Sequence, residues 1–111
     1  MSVDTELDEL MRDLAVGGHP LLAAMAEQHH GALRHAGIDA PTALLVRIAA
    51  LVTLDAAPAS YVIHLGLADA AGLRAEAIEA TLMELVPLVG TARVISAAGK
   101  IKEAVGELSA P

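Results

Sequence analysis

Apolar side chains recur every three or four positions along most of the chain, which is the spacing of one face of an α-helix. The first such block, residues 3–16, is acidic on its other positions and carries Leu7, Leu10, Met11 and Leu14 at that spacing. Gly17-Gly18 follows it. The pattern therefore predicts a short acidic amphipathic helix that ends before the two glycines.

Prolines near the starts and glycines near the ends divide the rest of the chain into five more helices. The predicted spans are about 20–36, 41–54, 56–71, 74–87 and 91–107. Asp39 or Ala40 is expected to precede the first turn that contains Pro41, and Asp55 to cap the helix that contains Pro58. Pro87 is expected to kink or end the fifth helix.

The composition favours an all-α protein. Hydrophobic residues make up 55% of the 111 residues, mostly Ala, Leu and Val, with one Tyr and no Phe or Trp. Ala and Leu are strong helix formers, whereas β-rich domains use aromatic and β-branched residues. A single domain of this length buries only part of such apolar content by itself, so we expect self-association.

The charge and residue inventory excludes several classes of function. A net charge of -7 does not suit nucleic acid, whose phosphates need a basic surface. The longest apolar run, Ile48 to Leu54, is too short to span a membrane, and the acidic Met1 to Leu10 segment has no apolar signal region. We expect a cytoplasmic protein. The absence of cysteine excludes disulfides and thiolate catalysis.

A longer pattern begins at Ile38-Asp39-Ala40-Pro41-Thr42, which opens an apolar helix. After a break comes a second helix that bears His64, and Ala68 to Gly72 then supplies Ala-x-x-x-Gly. Glu76-Ala77-Ile78 starts an acidic helix, and Val89-Gly90-Thr91 leads into the last one. This order and spacing resembles the carboxymuconolactone decarboxylase family, which includes the alkylhydroperoxidase D-like proteins.

The resemblance implies an all-α fold of about six helices with a helical-hairpin core, assembled as a homotrimer or homohexamer. It covers roughly residues 38–105 by our alignment. The chain is accordingly expected to form one helical domain, residues 1–111, with a helical extension over 1–37 and a family-like core over 38–107. In the family the histidine usually lies in a pocket near a subunit interface.

The chain departs from the family pattern at the redox positions. The peroxidase branch has Cys-x-x-Cys with a histidine four residues after the second cysteine, and these positions here are Ala57 and Ser60. That branch relays protons through a glutamate on the preceding helix, and the stretch 43–46 has no carboxylate. The decarboxylase branch often has a glutamate four residues before the histidine, where this chain has Ser60.

His64 is the strongest candidate for chemistry, because a neutral imidazole can move a proton near pH 7. Tyr61 and Ser60 precede it by three and four residues and so share its side of the helix. Ser60 is predicted to orient the ring, and Tyr61 to donate a hydrogen bond to a substrate oxygen. The alternative is a buried structural histidine bonded to a backbone carbonyl or to water.

Arg47 is the only charged residue between Asp39 and Asp55, in the middle of an apolar helix. It is a candidate anchor for a substrate carboxylate. The alternative is a structural ion pair with Asp55, Glu84 or another subunit. Glu84, among apolar neighbours, is either a carboxylate of raised pKa in the substrate site or the partner of Arg47.

His19, His29, His30 and His35 do not have the spacing of a metal site, so we expect no metal. Gly17-Gly18 is too short for a phosphate-binding loop, and no cofactor is expected. The sequence favours a non-redox family member that performs acid–base chemistry, of decarboxylase, lyase or isomerase type, on a small acidic or carbonyl compound. The alternative is a non-catalytic oligomer that binds a ligand or serves as a scaffold.

Overall fold

The computed structural model describes residues 3–15, 18, 20, 21, 23–25, 27, 28 and 37–109. All regular structure in these ranges is helical. The helices are α1 Val3–Ala15, α2 Ala40–Leu54, α3 Pro58–Ala70, α4 Ala75–Val89 and α5 Thr91–Ser109. The described residues from 20 to 28 are helical too, whereas 29–36, the rest of the predicted second helix, lie outside the described residues.

The start of α2 follows the sequence prediction. Asp39 has an extended backbone conformation, and its side chain accepts a hydrogen bond from the backbone amide of Thr42 at 3.0 Å. This is an N-cap, which satisfies one amide that has no partner within the helix. The bond from the Thr42 amide, together with that from its hydroxyl, lowers the pKa of the Asp39 carboxyl.

Asp55 does not cap α3, contrary to the prediction. It is the C-cap of α2, in the left-handed conformation with φ 54° and ψ 48°, and its amide donates to the carbonyl groups of Leu51 and Val52. Ala57 is the N-cap of α3, without a side-chain hydrogen bond, and Pro58 opens the helix. Asp is one of the few residues other than glycine that adopts the left-handed region readily, so it fits the end of a helix as well as the start.

Glycines end α3 and α4 where the sequence predicted. Gly72 has φ 73° after α3, and Gly90 has φ 93° and ψ 152° between α4 and α5. The latter backbone conformation is essentially restricted to glycine. Pro87 neither ends nor shortens α4 before its glycine, because the helix continues to Val89. The proline lies in the last turn, where its missing amide leaves the carbonyl of Met83 without that donor, and only two residues of the helix follow it.

The core lies where α3 packs against α5 and where α2 packs against α3 and α4. Its larger cluster comprises Ile48, Val52, Tyr61, Leu65, Leu82, Val94, Ala97 and Ala104, and a smaller one Ala43, Leu44 and Ala68. Four of these eleven residues are alanines, whose small side chains occupy little space between helices. The prediction of an all-α fold with helices packed as hairpins is confirmed.

Much apolar surface remains outside this core. α1 contributes no buried residue, and its apolar side chains at positions 3, 7, 10, 11 and 14 are all exposed. Val46 of α2, Leu88 of α4 and Ile95 of α5 are exposed by 59%, 81% and 66%. Among the described residues no helix is long and apolar enough to cross a membrane.

Candidate functional site

His64 lies on α3 and is the one polar or charged residue among the described ones that is buried, with 4% of its surface exposed. Its Nδ1 lies 2.8 Å from the backbone carbonyl oxygen of Ser60, one turn earlier. A carbonyl oxygen only accepts hydrogen bonds, so Nδ1 carries the hydrogen. In the neutral ring Nε2 is then the basic nitrogen.

The group of Ser60 that contacts the His64 ring is its backbone carbonyl. The amide of Ser60 bonds in turn to the carbonyl of Ala57 at 3.1 Å, which fixes the first turn of α3. The orientation of His64 is therefore a property of the helix and does not require a serine at position 60.

Tyr61 is fully buried in the main core cluster, three residues before His64. Its hydroxyl has no hydrogen-bond partner within the described chain. Burial, and secondarily the negative charge of Asp55, raises the pKa of the phenol. A buried hydroxyl normally has a partner, so this one is available to a water molecule or to a polar atom of a ligand.

Ala57 and Ser60, the positions that correspond to the redox cysteines, lie at the N-terminal end of α3. A helix N-terminus stabilises a thiolate, so this backbone would suit a reactive cysteine. The methyl group of Ala57 and the hydroxyl of Ser60 cannot use that effect for thiol chemistry. On α2, Ala43 and Leu44 of the stretch that lacks the relay carboxylate are buried in the smaller core cluster.

Arg47 and Glu84 lie on α2 and α4 rather than on the helix of His64. Arg47 is half-buried. Glu84 is exposed, and with Leu45, Val46, Thr81 and Leu88 it lines an apolar groove of about 580 Å³ between α2 and α4, which we call the α2–α4 groove. His64, Ser60, Tyr61 and Arg47 do not line this groove. The described contacts thus join Ser60 to His64 and leave Glu84 in separate surroundings.

The ion pair at Asp55 is with Lys100 of α5, at 2.8 Å, and not with Arg47. Lys100 also donates to the Asp55 carbonyl, and Arg93 donates to the carbonyl of Thr53 at 2.5 Å. Both cations therefore meet the end of α2, where the helix dipole favours positive charge. The sequence alone does not indicate these contacts, because no local pattern relates residues that are 40 or 45 positions apart.

A metal site does not emerge from the described part of the chain, where no three His, Asp or Glu side chains converge on one point. His19, His29, His30 and His35, which the sequence analysis weighed as ligands, lie outside the described residues.

The model of the carboxymuconolactone decarboxylase family matches residues 20–103, about three quarters of the chain. The chain belongs to the carboxymuconolactone decarboxylase family. The match begins at residue 20, within the segment predicted as an extension, and includes all five candidate residues. The comparison with curated proteins and the comparison with solved structures each found no significant match.

This member of the carboxymuconolactone decarboxylase family contains no cysteine, so the thiol chemistry of its peroxidase-like relatives is unavailable to it. The chain has an imidazole on α3, at His64, whose Nδ1 is bonded to a backbone carbonyl. The buried phenol of Tyr61 precedes it by three residues. Proton transfer is the chemistry that these groups support.

Proposed function

We propose that this protein is a non-redox member of the carboxymuconolactone decarboxylase family in which His64 transfers a proton to or from a small acidic or carbonyl compound. The observation that carries the proposal is the 2.8 Å contact between His64 Nδ1 and the Ser60 carbonyl. It places the hydrogen of the neutral ring on Nδ1, so Nε2 is the nitrogen that would move the proton, and it orients the ring, as a backbone acceptor commonly does for a histidine in acid–base work.

Two related reactions would use this proton transfer. In an isomerisation, Nε2 removes a proton from a carbon next to a carbonyl group and returns it to another carbon of the same molecule. In a decarboxylation, the bond between the carboxylate and the neighbouring carbon breaks and CO₂ leaves. The electron pair of that bond stays on the substrate and forms a dienolate. Nε2, protonated beforehand by water, then delivers that proton to the dienolate carbon. Nδ1 keeps its hydrogen throughout.

Tyr61 and Arg47 complete the proposed site. The Tyr61 hydroxyl, buried and without a partner among the described residues, would donate to the substrate oxygen that gains charge. Arg47 would hold the substrate carboxylate through paired hydrogen bonds. Ser60 would contribute a polar wall through its hydroxyl. Glu84 lies in the α2–α4 groove, which His64, Tyr61 and Arg47 do not line, so it would contact only a substrate that extends into that groove.

The proposal is tested with carboxymuconolactone and a panel of lactone and keto acids, followed by NMR detection of products and by deuterium incorporation from D₂O. We expect turnover of at least one acid, and a loss of about 10²–10⁴-fold in His64→Gln. Ser60→Ala is the comparison variant, because it removes the proposed polar wall but keeps the backbone carbonyl that binds Nδ1, and it should lose far less activity than His64→Gln. Equal activity in His64→Gln and the wild type would contradict the assignment.

The second candidate is a non-catalytic oligomer that binds a ligand or serves as a scaffold. The burial of His64 and its bond to a backbone carbonyl favour it, since a structural histidine is held in the same way. It predicts that no acid in the panel is turned over or exchanges deuterium. It also predicts that His64→Gln lowers the free energy of unfolding, while ligand binding elsewhere is unchanged.

We further propose that the protein is a homo-oligomer, a trimer or hexamer. The exposed apolar residues Val46, Leu88 and Ile95 support this, because covering such side chains with another protein surface lowers the free energy of the assembly. Light scattering measures the subunit count, and a monomer at every concentration would contradict it.

A further inference from the structure

A second cavity, of about 440 Å³, lies at the end of the bundle away from the contacts of Asp55. It is formed by the last turns of α3, the connection to α4, the first turn of α4 and the end of α5. Apolar side chains make most of its wall, namely Leu65, Leu73, Ile78, Val105 and Leu108. This volume is in the range of pockets that hold small organic molecules.

Among the residues that the structure describes, Asp69 is the only charged one that lines this cavity, and it is exposed. No hydrogen bond or ion pair to its carboxylate occurs within the described part of the chain. Asp69 also lies in the last turn of α3, where the helix dipole disfavours a negative side chain. A cation at this position would therefore relieve two unfavourable features at once.

Gly66 also lines the cavity. Gly66 and Asp69 are three positions apart on α3, so they lie on the same side of the helix. A Cβ atom built on Gly66 would meet no other atom within 4 Å, so the space that a side chain would fill is empty. The cavity thus combines an apolar interior with one anionic group at its entrance.

We propose that this cavity binds a small amphiphilic cation, an alkylammonium compound whose charged head pairs with Asp69 and whose hydrocarbon chain lies against Leu65, Ile78 and Val105. An anion of the same length is disfavoured because the charge of Asp69, the one charged side chain that the described residues contribute to the cavity, is negative. This site is separate from the proposed proton-transfer site, since His64, Tyr61 and Arg47 do not line the cavity. Its failure would leave the proposed function untouched.

The test uses octylammonium, with octanol and octanoate as uncharged and anionic probes of equal length. Binding to the full-length protein is followed by isothermal titration and by amide NMR shifts. We expect octylammonium to shift the amide signals of Gly66, Asp69 and Leu73 in a saturable way. It should bind about threefold to fivefold more tightly than octanol, the gain of a solvent-exposed ion pair, and octanoate should bind least.

Two variants test separately the charge of Asp69 and the empty space next to Gly66. Asp69→Asn, an exposed change that keeps the fold, should reduce the affinity for octylammonium to that for octanol. Asp4→Asn on α1 is the control with the same loss of charge and should change neither affinity. Gly66→Leu should abolish binding of both probes by filling the cavity. Equal octylammonium affinity in Asp69→Asn and the wild type, or binding that survives Gly66→Leu, would overturn the proposal.

Discussion

The ammonium group of Lys100 lies 2.8 Å from a carboxylate oxygen of Asp55 and also donates to the backbone carbonyl of the same residue at 3.2 Å. Ser96 adds a hydrogen bond to the same carboxylate at 3.3 Å. The side-chain hydrogen bond from Lys100, followed by its charge, lowers the pKa of Asp55 below the ordinary value of 3.8. One lysine thus ties the end of α2 to the middle of α5.

Acid should weaken the ion pair between Lys100 and Asp55. The pKa of Asp55 is lower in the folded chain than in the unfolded one, so its contribution to stability is complete above about pH 4 and is lost as pH falls through the folded pKa. We expect the free energy of unfolding of the wild type to fall on acidification below pH 4 more steeply than that of Asp55→Asn. Urea unfolding at a series of pH values measures both slopes.

Lys100→Met serves as the control for that measurement, because it removes the cation and keeps the apolar stem of the side chain. The acid slope should then lie between that of the wild type and that of Asp55→Asn and near the latter, because only the smaller effects of Ser96 and Arg93 on the Asp55 pKa remain. The double variant should have the slope of Asp55→Asn. An unchanged slope in Lys100→Met would mean that Lys100 does not hold the pKa of Asp55 down.

Gly90 and Gly99 should respond in opposite ways to alanine. The φ of 93° at Gly90 is strained for any residue with a Cβ, so Gly90→Ala should lower the free energy of unfolding by about 1–3 kcal/mol. Gly99 is an exposed residue inside α5 with open space around its Cβ position, so Gly99→Ala should raise it by about 0.5–1 kcal/mol. Thermal unfolding of both variants compares the effects, and two changes of equal sign would contradict the backbone argument.

Tyr61→Phe should stabilise the fold and impair the proposed reaction. It removes a buried hydroxyl that has no partner in the described chain, whose desolvation costs about 1–3 kcal/mol. It would also remove the proposed donor to the substrate. The free energy of unfolding, measured with denaturant, should therefore rise in Tyr61→Phe, while the turnover rate should fall. A loss of stability in Tyr61→Phe would indicate that a water molecule or another group pairs with the hydroxyl.

Leu88→Lys should dissociate the proposed oligomer if the α2–α4 groove is its interface. Leu88 lines the groove and is 81% exposed, so a charge there costs little in the single chain but much in an apolar contact. Ile95→Lys on α5, which does not line the groove, is the control. Light scattering should give a smaller mass for Leu88→Lys only. Dissociation by Ile95→Lys alone would place the interface on α5.

The sequence predicted the helices well because their ends are marked by residues with few conformational options. Pro41 and Pro58 fit only the first turn, and Gly72 and Gly90 have positive φ. Asp55 was assigned to the wrong helix, since an aspartate before Pro58 suits either the end of one helix or the start of the next. Only the packed structure decides between the two.

The candidate site could be predicted only as far as it is local. Ser60, Tyr61 and His64 lie on one helix, so their spacing fixes their relation. The partners of Asp55 and the burial of Tyr61 depend on α5 and α2, which approach only through tertiary packing. The cavity at Asp69 combines residues from three helices, and no periodicity within one helix indicates it.

Tyr61, which lies where α2, α3, α4 and α5 meet in the core, is the only aromatic side chain of Phe, Tyr or Trp type in the chain. All intrinsic fluorescence of the protein therefore arises from one fluorophore at one known place. Its emission reports directly on the packing of the bundle, without an added label and without a second signal to subtract. The natural protein is thus its own optical probe of core folding.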